Sequence, residues 1–165
     1  MGQIRVVAER VIGAPPEHVY GVLRDYREHH PKILPPAFSD FRIEEGGVGA
    51  GTIVSFTMTA GGRKRNFRSR IDEPEPGRVL RETDLESGAV TSFTVTPERP
   101  GSRVRIETSW QGGGGFGGLM ERLFAPRILR RLYADELDRL DHYVRERGVI
   151  GSTDVSTQEG GTTAQ

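Results

Sequence analysis

Between residues 38 and 111 the chain reads as six short strands, each closed by glycine or proline turn chemistry. The expected strands are 38–45, 52–60, 63–72, 78–85, 89–96 and 102–111. Their stops are Gly46-Gly47, Gly61-Gly62, Pro74-Glu75-Pro76-Gly77, Ser87-Gly88 and Pro97 with Pro100-Gly101. Connections this short favour antiparallel neighbours, because parallel strands need long crossovers. Val54, Phe56 and Met58 alternate with Ser55, Thr57 and Thr59. Val104, Ile106, Thr108 and Trp110 likewise alternate with Arg103, Arg105 and Glu107. One face of the sheet is therefore covered and the other wet.

What covers it follows in the sequence. Leu119, Met120, Leu123, Phe124, Ile128, Leu129, Leu132, Tyr133, Leu137, Leu140, Tyr143 and Val144 form a broad apolar stripe at helical spacing. The opposite face carries the i,i+4 pairs Asp135/Arg139 and Asp141/Arg145. Such a helix is roughly 45 Å long at 1.5 Å per residue. Pro126 predicts a kink or interruption, and Gly148 predicts the stop. Upstream, residues 4–12 read as a strand, and 15–25 as a short amphipathic helix with proline and Glu17 in its first turn. Residues 26–36, with His29, His30 and three prolines, read as a second short helix or an irregular bridge. The expectation is one domain over 1–148 and a polar, Ser/Thr/Gly-rich, disordered tail over 149–165.

Composition narrows the function classes. With no cysteine, disulfides, thiolate zinc sites and cysteine nucleophiles are excluded together. The 23 basic and 23 acidic residues balance, which gives no electrostatic footprint for nucleic acid or an anionic membrane. No run of apolar residues is long enough to span a bilayer, and residues 1–12 lack the apolar core of a signal peptide. A cytoplasmic protein without metal or cofactor is the expectation. Gly47-Val48-Gly49-Ala50-Gly51 precedes a strand rather than a helix, so it reads as a turn and not a phosphate loop. Arg127, Arg130 and Arg131 form a basic patch, but acidic residues follow at once.

The order strand, two short helices, six strands and one long helix resembles the START-like helix-grip superfamily, also called SRPBCC. Within it the chain is similar to the polyketide cyclase/dehydrase-like group. The residues that carry this are Ile12-Gly13-Ala14-Pro15-Pro16-Glu17-His18-Val19-Tyr20 at the strand-to-helix entry, the aromatic- and proline-containing segment 26–36, and the glycine-rich joint 112–118 before an Arg- and Leu-rich helix. The resemblance covers residues 3–147. It implies an α+β fold of START/Bet v 1-like type, with a seven-stranded curved antiparallel sheet around the terminal helix and an internal cavity.

In such a cavity an apolar lipid-, polyketide- or aromatic-like molecule is the expected partner. Phe56, Met58, Phe67, Phe93, Trp110, Phe116, Met120, Phe124 and Tyr133 are the candidate lining residues, with ordinary core as the competing reading of each. Catalytic candidates for aldol condensation and dehydration are His30, Arg81, Tyr26 and Thr83. His29 and His30 sit where the family's cavity mouth is implied, against the alternative of a solvated loop pair. Alternation places Phe67, Ser69 and Ile71 inward and Arg68 and Arg70 outward, whereas Arg81 shares parity with Val79, Thr83 and Leu85 and is the better inward candidate, against the wet face on which strand arginines more often lie. A binding protein or carrier is the leading reading, a cyclase/aromatase the rival, and an interaction module the third. The enzyme reading requires that at least two of its candidates converge on one ligand position.

Overall fold

The structure, a computed structural model, describes residues 2–154; the side chains of 116–120, 122–124 and 149–154 lie outside that description. The elements are β1 (Gln3–Ile12), α1 (Pro16–Arg24), α2 (His30–Ile33), β2 (Phe38–Glu45), β3 (Ile53–Ala60), β4 (Arg63–Glu75), β5 (Val79–Asp84), β6 (Val90–Glu98), β7 (Gly101–Gln111) and α3 (Gly115–Asp154). The strands form one antiparallel sheet in the order β1-β7-β6-β5-β4-β3-β2. Successive strands pair with their sequence neighbours, as short turns demand, and β1 closes the run against β7.

The concave face carries Val6, Val54, Ile71, Leu80, Phe93, Val95, Val104 and Ile106, all buried. Tyr133, Leu137, Leu140 and Val144 of α3 face them, at the i, i+4, i+7, i+11 spacing of one helix face. Val19, Tyr20, Val22 and Leu23 of α1 complete the core. Helix α3 begins within the glycine joint, runs through Pro126 without interruption, and passes the expected stop at Gly148 to reach Asp154. Residues 155–165 of the expected tail lie outside the described residues.

Two polar clasps fix the covering elements. Buried Asp141 on α3 accepts the backbone N–H of Gly13 at 3.1 Å, and pairs with Arg10 at 3.2 Å and Arg145 at 2.9 Å. On the other side, Glu73 accepts hydrogen bonds from Tyr20 at 2.9 Å, Arg24 at 2.9 Å and the Ala50 N–H at 3.0 Å. The 46–52 connection thus packs on the end of α1, as the turn reading requires. Gly49 adopts φ 67°, and a Cβ there would meet Arg24 at 2.4 Å and Glu73 at 2.5 Å.

The Arg24 guanidinium holds the Glu73 carboxyl down to about 2, with the Ala50 N–H and Tyr20 hydroxyl adding to it against the effect of burial. A carboxyl depressed below its unfolded value contributes stability above about pH 4.5, and that stability is lost as pH falls toward 2. Glu73→Gln is expected to cost about 1–2 kcal/mol at neutral pH and to flatten this acid limb, because Arg24 is partly solvated. Urea midpoints of both proteins between pH 2 and 7 check it. Parallel acid limbs would refute the assignment.

Candidate functional site

On α3, Leu137, Leu140 and Val144 are buried in the core, whereas Ala125, Ile128, Leu129 and Tyr133 before them face the sheet across a gap. Between them lies a cavity of about 300 Å³. Val54, Phe56, Met58 and Phe67 of β3 and β4, Phe93 of β6 and Trp110 of β7 form its sheet wall. Ala125, Ile128, Leu129, Tyr133 and Glu136 of α3 form the opposite wall. Exposed Arg65, Ser87 and Gln111 mark the open end; buried Tyr26, His30 and Glu136 mark the closed one.

Aromatic packing shapes the walls. Phe56 stacks on Phe67 at 5.3 Å between centroids and meets Phe38 at 5.6 Å. Trp110 donates its indole N–H to Glu121 at 2.8 Å, and the other Glu121 oxygen accepts the Gly113 N–H at 3.1 Å. This carboxylate ties the start of α3 to the end of β7 beside the opening. A chain of hydroxyls crosses the middle: Thr91 to Thr108 at 2.7 Å, and Thr108 to Tyr133 at 2.6 Å.

The closed end is the polar one. The backbone turn after α1 brings Tyr26 and His30 together, their rings stacked at 4.4 Å. His30 Nδ1 lies 2.6 Å from the Leu23 carbonyl oxygen. A carbonyl only accepts, so Nδ1 carries the proton and Nε2 of the neutral ring is left as an acceptor. Nε2 is 3.8 Å from Glu82 on β5 and 4.0 Å from Glu136 on α3. Tyr26 donates its hydroxyl to Glu82 at 2.6 Å. Among the described residues, Oε1 of Glu136 is the one buried side-chain oxygen or nitrogen without a hydrogen-bond partner.

Burial sets the charge states here. Burial above all, then the nearby Glu82 and Asp135, pushes the Glu136 carboxyl up to about 8. It is therefore a carboxylic acid at neutral pH. Burial likewise pushes the His30 imidazole below its ordinary value, against the pull of Glu82 and the Leu23 carbonyl. Burial and the Glu82 charge drive the Tyr26 phenol well up. Near neutral pH the site thus pairs an unpartnered acid, Glu136, with an unprotonated acceptor, His30 Nε2.

Several sequence expectations change. Phe56, Met58, Phe67, Phe93, Trp110 and Tyr133 line the cavity, with Tyr26 and His30; Phe116, Met120 and Phe124 have side chains outside the described residues. Arg81 is exposed and Thr83 stands on the same outer face, because Leu80, Glu82 and Asp84 are the inward residues of β5. Val79, on the parity of Arg81, is half-buried, whereas Leu80 on the other parity is fully buried. His30 is buried at the closed end rather than solvated at a mouth, while His29 turns away to bond Tyr143 at 2.8 Å. Glu82 and Glu136 were missed. Glu136 did leave a signal, since Leu129, Tyr133, Glu136 and Leu140 share one helix face and a carboxylate there interrupts an apolar stripe.

Among the described residues no metal-ligating cluster and no helix long and apolar enough to cross a membrane occurs. The family model described as polyketide cyclase / dehydrase and lipid transport matches residues 3–145. No curated protein matches the chain. Among solved structures, the solution structure of KanY protein is 35% identical with a TM-score of 0.78, covering 88% of this chain and 99% of that one. Protein TTHA0849 from Thermus thermophilus is 22% identical, TM-score 0.74, covering 87% and 98%. The major latex-like protein 151 of Panax ginseng is 11% identical, TM-score 0.68, covering 86% and 97%. The last two speak for the helix-grip fold alone.

Proposed function

The chain belongs to the polyketide cyclase/dehydrase and lipid transport family, and from that premise we propose that it binds one apolar, ring-bearing small molecule in the cavity between sheet and α3. One observation carries the reading: the walls are aromatic and aliphatic, and the polar groups are gathered at the middle and the closed end. Burial of ring surface drives binding, and the Thr91–Thr108–Tyr133 hydroxyls orient the molecule. A volume of about 300 Å³ suits a molecule of a few fused rings rather than a long lipid chain.

A second reading is favoured by one observation. Tyr26 and His30 converge, and Glu82 and Glu136 join them. That arrangement supports an enzyme of cyclase type, promoting aldol condensation and dehydration of a poly-carbonyl chain.

Trp110 is the sole tryptophan and lines the cavity, so it reports occupancy. Titration with 2-naphthol is expected to quench it saturably at one site, with a dissociation constant of roughly micromolar order. Ser69→Leu, which puts a larger side chain into the cavity from β4, is expected to weaken binding about tenfold or more. Unsaturable quenching, or equal affinity in the variant, would reject the reading.

A further inference from the structure

Two groups at the closed end have no work in simple apolar binding: the unpartnered Oε1 of Glu136 and Nε2 of His30. They lie 4.0 Å apart across a wall of the cavity, and both are almost fully buried. A buried polar oxygen left without a partner costs stability, so its retention at the one polar end of a ligand cavity points to a ligand atom that completes it.

We propose that the closed end is an acid–base site that enolises a ketone of the bound molecule, with Glu136 as acid on the carbonyl oxygen and His30 Nε2 as base on the adjacent carbon. The proposal rests on the cavity being a ligand site. The span from a carbonyl oxygen to its α-carbon is about 2.4 Å, so a ketone fits between two groups this far apart with each in reach. The step balances without a co-reactant. Nε2 takes the α-proton, the C–H electron pair becomes the C=C bond, the C=O π pair moves to oxygen, and oxygen takes the Glu136 proton. The products are the enol, an imidazolium at His30 and a carboxylate at Glu136. That imidazolium then stands between the carboxylates of Glu136 and Glu82, 3.8 Å away on β5, and transfer of its proton to Glu136 restores the site.

Tyr26 takes no proton in this scheme. Its hydroxyl is committed to Glu82 and its ring holds the imidazole plane by stacking, so it is a positioning residue. The groups facing the pair are Glu82 from β5, Tyr26 from the segment before α2 and Tyr133 from α3; exposed Asp135, paired with Arg139, acts on Glu136 only by its charge.

The test is hydrogen–deuterium exchange at the α-carbons of 2-tetralone in D2O, followed by proton NMR with the full chain and against a protein-free blank. The protein is expected to accelerate exchange saturably by about 10²-fold or more at neutral pH. The protein-dependent rate should fall above about pH 8, as Glu136 loses its proton, and fall on the acid side as His30 gains one. Glu136→Gln, close in shape and uncharged, should still bind 2-tetralone by Trp110 quenching, yet lose about tenfold or more of the rate together with the alkaline limb. His30→Gln should lose the rate as well. Saturable binding with exchange at the blank rate, or an unchanged rate and pH profile in Glu136→Gln, would overturn the proposal and leave the binding reading standing. Failure of 2-tetralone to bind at all would take down both.

Discussion

At pH 8 and above, Glu136→Gln unfolds at a higher temperature than the wild type, by about 5–10 °C, corresponding to a few kcal/mol for a domain of this size. The sign follows from linkage. The carboxyl titrates near 4.5 in the unfolded chain and is pushed up to about 8 in the fold. Between those values the folded state holds a proton that the unfolded state lacks, so this group's contribution falls as pH rises and reaches its full cost above pH 8. His30 acts in the opposite sense. Its imidazole is held below the ordinary value, so stability is lost as pH falls through the imidazole range. Only the difference between wild type and Glu136→Gln therefore isolates the carboxyl. That difference should be small below pH 4.5 and should grow steadily toward pH 8. A pH-independent difference, or a destabilised variant at pH 8, would mean that Glu136 is ionised and paired. The cost is informative in itself, since a fold that needed only stability would place a leucine there.

Asp141→Ala produces the largest loss of stability among single polar substitutions, roughly 2–4 kcal/mol. The carboxylate is 8% exposed and serves three donors at once: the Gly13 N–H, Arg10 and Arg145. Both arginines are partly solvated, which keeps the cost below that of a fully buried pair. The effect is structural, because this is where α3 is fastened to the turn between β1 and α1. Asp141→Asn should lose less, as its amide oxygen still accepts from Gly13. Burial would raise the carboxyl, but Gly13, Arg145 and Arg10 outweigh it and hold it low. Its contribution is thus complete at neutral pH and disappears on acidification. Urea denaturation of the three proteins at pH 7 and pH 3 measures both effects. Equal midpoints at pH 7 would contradict the clasp.

The helix grip was legible because its determinants are local and periodic. Strand β2 has the expected bounds, and β6 and β7 lie within a residue or two of theirs, since glycine and proline turns punctuate them. The stripe from Tyr133 to Val144 marked the face of α3 that covers the sheet. Legibility failed where a residue's environment is made by distant chain. In β5, Val79-Leu80-Arg81-Glu82-Thr83-Asp84 has one strong apolar residue on each parity, so alternation alone cannot choose the face. Leu80, fully buried in the core, decides it, and Glu82 and Asp84 share its face. Adjacent histidines look alike in sequence, yet the Leu23 carbonyl claims one and Tyr143 the other. Polar groups in a ligand cavity break the patterns by which cores are read, so the same residues that identify the site also hide it.

A ring-bearing molecule seated between the sheet and α3, its polar end toward Glu136, would leave a distinct footprint on the backbone. A two-dimensional NMR titration of the labelled full chain with 2-naphthol reads that footprint residue by residue. Saturable one-site shifts are expected, concentrated on Phe93, Thr108, Tyr133 and Glu136, with Arg81 and Thr83 on the outer face of β5 unmoved. Shifts confined to the outer face of the sheet, or none at concentrations that saturate Trp110 quenching, would contradict a ligand in this cavity.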